Sequence, residues 1–328
     1  MIKKKDLFES LKYNFDYDVT ALPAYTDEQS AEILTDLVYA SGLTSRVTVQ
    51  EGNKGSETIK LLNITMALQS ASSCAWNADG SVVFTGEPLT TVRVKNQMEL
   101  CNEDLNGTWA QMLNVVGANR QDESMPLESV IQAYSVKTAQ KTNQDLMING
   151  DTGSGNPDLV HYDGYSKLWD ADADLGVYYS TETAITVSNA LDLALGLYNE
   201  IDGVLFDNGE PVEIMVGRET YNLIIQNVYN DNNFHHTLQE EPGTEPSFML
   251  PTTNIRVRSY PQLSGTEKMY AVPYRFMIYG TDLSGDIDGF TAKYNDNDEK
   301  LRFGTKWRSG VSYVFPEYFT RLRLTPIS

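Results

Sequence analysis

The longest stretch of helical periodicity in this chain runs out of apolar residues before it ends. From Pro126 the sequence reads PLESVIQAYSVKTAQKTNQDLMIN, followed by Gly150. Proline suits a first helical position, Glu128 favours the positive N-terminal end, and glycine just past the last turn stops a helix. The pattern predicts a rod of roughly 36 Å, at about 1.5 Å per residue. Leu127, Val130, Ile131 and Tyr134 make an apolar stripe, but Ser135 to Asp145 hold only Val136 and Ala139 as apolar groups. A helix so polar bridges domains through solvent or takes its partners from elsewhere. This points to an assembling protein ahead of an enzyme.

Around that helix the period changes. The first 25 residues mix Lys, Asp, Tyr and Phe without period, as an arm would. Thr26-Asp-Glu-Gln29 reads as a capping box, opening a short helix with Ile33, Leu34, Leu37 and Val38 that stops at Gly42. Period-two alternation then predicts strands at Arg46–Gln50, Thr58–Gln69, Ser81–Thr85 and Leu89–Lys95. They are joined by turns at Glu51–Gly55 and Asn77–Gly80, and form a long β flap with little helix to cover it. Beyond the long helix, 150–176 reads as turn and loop, and Val177–Ser180 as a strand. Residues 188–202 read as a helix ended by Gly203, with Leu191, Ala194, Leu195, Tyr198 and Ile201 on one face. Glu213–Val216 is a buried-type strand leading into a helix with Tyr221, Ile224, Ile225 and Val228 at core spacing, closed by a polar tip at Asn230–Asn233. Strands are predicted at Ile255–Tyr260, Met269–Tyr279, Phe290–Tyr294, Leu301–Ser309 and Val311–Phe315, with a hairpin turn at Tyr294–Glu299. The fold class is α+β.

Composition narrows the function more by exclusion. The 328 residues carry a formal net charge of −20, which repels nucleic acid and anionic membrane surfaces. The charge is uneven: Lys300, Arg302, Lys306, Arg308, Arg321 and Arg323 face only Glu317 within 300–328. A chain polarised in this way can satisfy its charge against copies of itself. Cys74 and Cys101 are the only cysteines and form no CxxC motif, which favours a reducing compartment. The start, MIKKKDLFESLKYNFDYD, lacks the apolar segment of a secretory signal, and no run of about 18 apolar residues exists to span a membrane.

Site chemistry is sparse. Gly150–Pro157 lacks the Gly-Lys-Ser/Thr ending of a phosphate loop, and no Gly-x-Ser-x-Gly elbow occurs. His161, His235 and His236 lack zinc-helix spacing. Asp170-Ala-Asp-Ala-Asp174 begins like a calcium loop, but position six is Leu175 and position twelve Thr181, so a solvated turn is the plainer reading. Arg302-x-Gly-x-Lys306-x-Arg308 places its charges on one face of a strand and Leu301, Phe303 and Trp307 on the other. No catalytic, cofactor-binding or metal-binding residue is expected.

The order of elements resembles the major capsid proteins of tailed bacteriophages, the HK97-like (Hong Kong 97) fold. Gln144-Asp-Leu-Met-Ile-Asn-Gly150 looks like the end of the family's spine helix. Val212–Val216, Gly217-Arg-Glu-Thr-Tyr221 and Ile224-Ile225 resemble the axial domain's strand-then-helix. Tyr279-Gly-Thr-Asp282 and Gly310-Val-Ser-Tyr-Val-Phe-Pro-Glu-Tyr-Phe319 resemble its closing strands. The asparagine- and tyrosine-rich style is similar to capsid proteins of Bacteroidetes phages, crAss-like ones included.

The resemblance implies an N-terminal arm at 1–45, an extended loop at 46–108 lying over a neighbour, a peripheral domain of 109–183 and 284–328, and an axial domain of 184–283. It implies self-assembly into hexamers and pentamers of an icosahedral or prolate head that encloses double-stranded DNA. The protein would be made in the bacterial host cytoplasm and end in the virion, with no membrane involved. A separate scaffolding protein, a portal and possible head-decoration proteins would be its partners. The long helix would dock its apolar end on its own strands and turn Ser135–Asp145 toward loops or a neighbouring subunit. Assembly contacts are expected at Lys137 and Lys141 on that helix, Trp76 and Phe84 on the flap, and Asn232 and Phe234 at the axial tip. Two rival readings stand beside it: an encapsulin-like cargo compartment, and an acidic glycan-active or glycan-binding β-rich protein.

Overall fold

The computed structural model describes residues 42–66, 80–101, 127–230, 245–282, 290–295 and 300–325. Expectations for the Thr26 capping box, the Ile33–Val38 helix and the tip beyond Asn230 fall outside them. So does the contribution of Leu127, Val130, Ile131 and Tyr134 to packing.

Three sheets organise the described residues. The first is a two-stranded flap, β2 (Ser56–Met66) against β3 (Gly80–Thr90), paired antiparallel from Ser56↔Thr90 to Met66↔Gly80. The sequence had broken this second strand near Gly86. The strand runs through Gly86 and Pro88, and the break comes at Thr91 because there the chain changes sheets. After Thr91, β4 (Val92–Cys101) pairs instead with β12 (Lys300–Tyr313).

β12 is the spine of the second sheet. Its first half lies between β4 and β11 (Phe290–Asn295). Its second half pairs with β10 (Met277–Gly280), which is followed by β1 (Thr48–Gln50) in parallel. Two shorter strands were expected here, with a break at Gly310. The strand instead continues through that glycine, because a Cβ there would lie 2.2 Å from Thr90 O. Glycine lets the flap root pass against the strand without interrupting it.

The third sheet runs β5–β13–β9–β6–β8–β7. Its strands are β5 (Gly176–Tyr179), β6 (Glu213–Val216), β7 (Ser247–Met249), β8 (Arg256–Ser259), β9 (Met269–Val272) and β13 (Thr320–Arg323). The single strand expected over Met269–Tyr279 is two strands in two sheets. They are divided by a 3-10 turn at Tyr274–Phe276 that follows Pro273, which has no N–H to give a ladder. β7 and β13 were not foreseen; each is short, and Thr320-Arg-Leu-Arg323 carries one apolar residue in four.

Of the helices, α1 (Leu127–Asn149) stands where the sequence places it. α2 (Tyr165–Ala171) lies in what reads as loop. It has no apolar period of its own and is set by Trp169, whose ring meets those of Tyr165, Tyr270, Phe319 and Tyr313 at 4.9–6.5 Å between centroids. α3 (Ala190–Asn199) ends earlier than expected. Gly203 opens a further helix, α4 (Gly203–Asp207), whose N-cap Asp202 accepts the Val204 N–H at 2.9 Å. α5 (Arg218–Asn230) follows β6 and buries Tyr221, Ile224 and Val228.

Two cores result. One joins α1 and α2 to the five-stranded sheet through Leu146, Met147, Trp169, Tyr279 and Trp307. The other joins α3 and α5 to the six-stranded sheet through Leu197, Ile214, Ile224, Phe248 and Val257.

Candidate assembly surfaces

The polar half of α1 is less free than its composition suggests. Ala139 and Asn143 are both buried, and they line up with Leu146 and Met147 on the side that meets the sheet. Asn143 is the centre of a buried polar network. Its amide donates to Tyr279 Oη at 3.1 Å, and its oxygen accepts Trp307 Nε1–H at 3.2 Å and the Ser309 hydroxyl at 3.1 Å. Ser309 in turn bonds the Tyr162 hydroxyl at 2.7 Å. Thus part of the segment expected to face loops or a neighbour faces the chain's own strands, because an amide with satisfied hydrogen bonds is compatible with burial. On the other side, Lys137, Thr138 and Lys141 are exposed.

At its C-terminal end α1 is fixed by a crossing of two glycines. Gly164 N–H donates to Gly150 O at 2.8 Å. A Cβ on Gly164 would stand 2.6 Å from Gly150 N and 2.8 Å from Ile148 O, while one on Gly150 would stand 2.4 Å from Tyr162 O. Gly150 does stop the helix, but close backbone approach is what requires it; its φ is not positive.

The flap leaves the body at Thr91. The Thr91 hydroxyl reaches Asn53 O and Gly55 O at 3.1 Å, and Asn53 Nδ2 donates to Leu89 O. Beyond this root, eleven residue pairs form a two-stranded ribbon with no third strand among the described residues. An isolated two-stranded ribbon is marginal in water. Phe84 pairs with Leu62 on it. Trp76, Asn232 and Phe234 lie outside the described residues.

Another buried network ties the turn after Gly42 to the six-stranded sheet. Arg46 bonds Glu245 at 2.9 Å and the Tyr260 hydroxyl at 2.8 Å. Tyr260 bonds Tyr274 at 2.9 Å, and Tyr274 bonds Glu213, which also pairs with Arg258 at 2.8 Å. Burial raises the Glu245 carboxyl above the ordinary glutamate range, although Arg46 and Arg258 oppose the shift.

Charge is segregated between the sheets. The face of the five-stranded sheet turned away from α1 carries Arg93 and Lys95 from β4, Lys293 from β11, and Lys300, Arg302, Lys306 and Arg308 from β12. Glu99 of β4 lies on the same face. It accepts Arg302 Nε–H at 2.8 Å and Lys300 Nζ–H at 3.2 Å, which together hold it below the ordinary carboxylate range. The opposite face buries Val94, Phe303 and Trp307, as the alternation in 301–308 predicts. By contrast, residues 168–217 contain ten Asp/Glu and no Lys or Arg.

Asp170–Asp174, weighed as a calcium loop, is not arranged as one. Asp170 lies in α2 and takes Lys268 Nζ at 2.6 Å and the Tyr270 hydroxyl at 3.0 Å, while Asp172 takes the Tyr313 hydroxyl and the Asp174 N–H. Burial and the neighbouring carboxylates push both tyrosine hydroxyls far above their ordinary value, so they stay protonated donors. Among the described residues, no group of three or more His, Cys, Asp or Glu is placed to hold a metal ion, and no helix is long and apolar enough to cross a membrane.

No protein-family model matches the chain, and no curated protein matches it. Solved structures do. The procapsid of satellite phage P4, solved with its size-determination protein, aligns over 90% of this chain and 99% of that chain, with 10% identity and a TM-score of 0.59. A capsid of an empty GTA particle aligns over 87% and 90%, with 9% identity and a TM-score of 0.60. A virus-like particle from Pyrococcus furiosus aligns over 90% and 98%, with 11% identity and a TM-score of 0.50. The chain therefore has the α+β, HK97-like capsid fold that its element order resembles.

Proposed function

We propose that this chain is the major capsid protein of a tailed-phage head, a non-enzymatic subunit that self-assembles into hexamers and pentamers around double-stranded DNA. One observation carries the reading: nearly the whole chain superposes on subunits of particles, two of them capsids or procapsids, and almost the whole of those subunits is matched. The flap supports it, because a ribbon of eleven pairs, with both edges unpaired among the described residues, is suited to cover from another chain. Segments 1–45 and 46–108 then serve as arm and extended loop, 109–183 with 284–328 as the peripheral domain, and 184–283 as the axial domain. Strand pairing shares β5, β10 and β13 across those sequence boundaries. Lys137 and Lys141, with Trp76, Phe84, Asn232 and Phe234, are proposed as contacts between subunits. A separate scaffolding protein, a portal and head-decoration proteins are the further partners, and the virion shell is the location.

The test is negative-stain microscopy of the purified chain, alone and with the candidate scaffold. Closed shells or capsomers are expected; a strictly monomeric species under every condition overturns the reading. Nucleic acid extracted from particles made in the host distinguishes a virus head from a compartment that carries protein cargo.

A further inference from the structure

Building on the shell reading, we propose that the basic face of β4, β11 and β12 docks onto the acidic α3–α4 edge of a second copy of this chain. The first observation is the register of the basic face. Lys95 stands directly opposite Lys306, Arg93 opposite Arg308, and Lys293 opposite Arg302. Like charges directly across an antiparallel pair destabilise it. Here three such rows sit side by side on the outward face of one sheet, with Arg93, Lys95, Lys293, Arg302 and Lys306 exposed. Within the subunit Glu99 offsets the Arg302 row, and Arg308 donates to Lys54 O. An anionic surface supplied from outside turns the Lys95–Lys306 row into a favourable one, and Glu99 between Lys300 and Arg302 displays the carboxylate geometry this face accepts.

The complementary surface is on the same chain. Within 168–217, Lys268, Arg258 and Arg275 from elsewhere in the fold pair with Asp170, Glu213 and Glu210. Asp192, Glu200, Asp202 and Asp207 along α3 and α4 are exposed, and none of them forms an ion pair with a described residue. The two patches belong to different sheets, so their contact is head-to-tail, the kind of interface that closes into rings. A second copy also fits better than nucleic acid. Two copies of net charge −20 repel at long range as each repels a polyanion, but salt screens that repulsion beyond about 10 Å, and another copy offers its carboxylates on a surface whose geometry the fold fixes.

The experiment reads self-association of the full chain by sedimentation velocity, over a salt series, for four proteins. One is wild type. One carries Lys95→Glu with Lys306→Glu, which exchanges one like-charge row for another. One carries Glu200→Lys with Asp207→Lys, at helix C-terminal ends where lysine is tolerated. The fourth carries all four changes. Each reversed pair is expected to raise the concentration needed for assembly at least about tenfold at low salt, by setting like against like. The fourfold variant is expected to regain assembly, with its contact reversed in sign, while thermal midpoints of all four stay together.

Normal assembly by either reversed pair, or failure of the fourfold variant to recover, overturns the proposal while leaving the shell reading standing. A wild-type chain that never associates overturns both. Retention of plasmid DNA in a gel by wild type, lost in Lys95→Glu/Lys306→Glu whose assembly is unchanged, would instead assign this face to nucleic acid.

Discussion

Asn143→Ala tests whether α1 is held to the sheet by its buried amide. The wild-type side chain is 1% exposed and hydrogen-bonds Tyr279, Trp307 and Ser309, with a longer contact to Met147 Sδ. Truncation leaves the Trp307 N–H buried without its acceptor and removes one partner each from Tyr279 and Ser309. Ser309 keeps Tyr162 at 2.7 Å, so its loss is partial. One stranded donor costs about 1–3 kcal/mol, and the two weakened hydroxyls about 0.5–1 kcal/mol each, so a total of about 2–5 kcal/mol is expected. The assay is urea denaturation of the soluble subunit, followed by tryptophan fluorescence. Asn143→Asp sharpens the test. It keeps both acceptor bonds but buries a carboxylate, whose folded pKa must rise above its unfolded value of about 3.9. The folded state then holds its proton more tightly, so the variant's stability is highest below the unfolded pKa and falls as pH rises through the folded one. Asn143→Ala within about 0.5 kcal/mol of wild type, or Asn143→Asp with wild-type pH dependence, would refute the assignment.

Gly164→Ala drives a Cβ to 2.6 Å from Gly150 N and should cost about 2–4 kcal/mol in a urea titration, whereas Gly155→Ala, with open space around it, should be neutral to within about 0.5 kcal/mol. Lys137→Glu with Lys141→Glu should impair particle formation by microscopy while leaving the thermal midpoint close to wild type; unimpaired particles would remove these lysines from the interface. Glu245→Gln should remove a pH-dependent term. Burial raises the Glu245 pKa, so its contribution to stability is fully present below the unfolded pKa and is lost as pH rises through the folded one. The wild-type stability relative to the variant should therefore fall across the window just above the ordinary glutamate range, and a pH-independent difference would contradict this.

What the sequence made legible was whatever carries its own period. Glu213–Val216 is read to the residue, and α1 and α5 come from helical spacing and caps. Features set by distant contacts were not legible. Gly310 and Gly86 look like breaks, yet both lie inside strands, where another part of the chain passes close. Pro273 marks a change of sheet that no window around it reveals. α2 owes its place to rings from 270, 313 and 319, and Asn143 reads as surface because only the folded sheet supplies its partners. Charge behaved in the same way. The run in 300–308 shows half of the basic face, and the half on β4 joins it only through pairing.

The crossing of Gly150 and Gly164 bears on how relatives of this chain can be traced. Each glycine excludes a side chain on the other's segment, so a change at one is not relieved by a change at the other. At identities of 9–11% to the particles it superposes on, residue matching carries little signal. A long helix closing on glycine, with a second glycine fourteen positions later and Tyr-x-x-x-Trp beginning immediately after it, is a constraint of geometry. It offers a search pattern that can persist after most other positions have drifted.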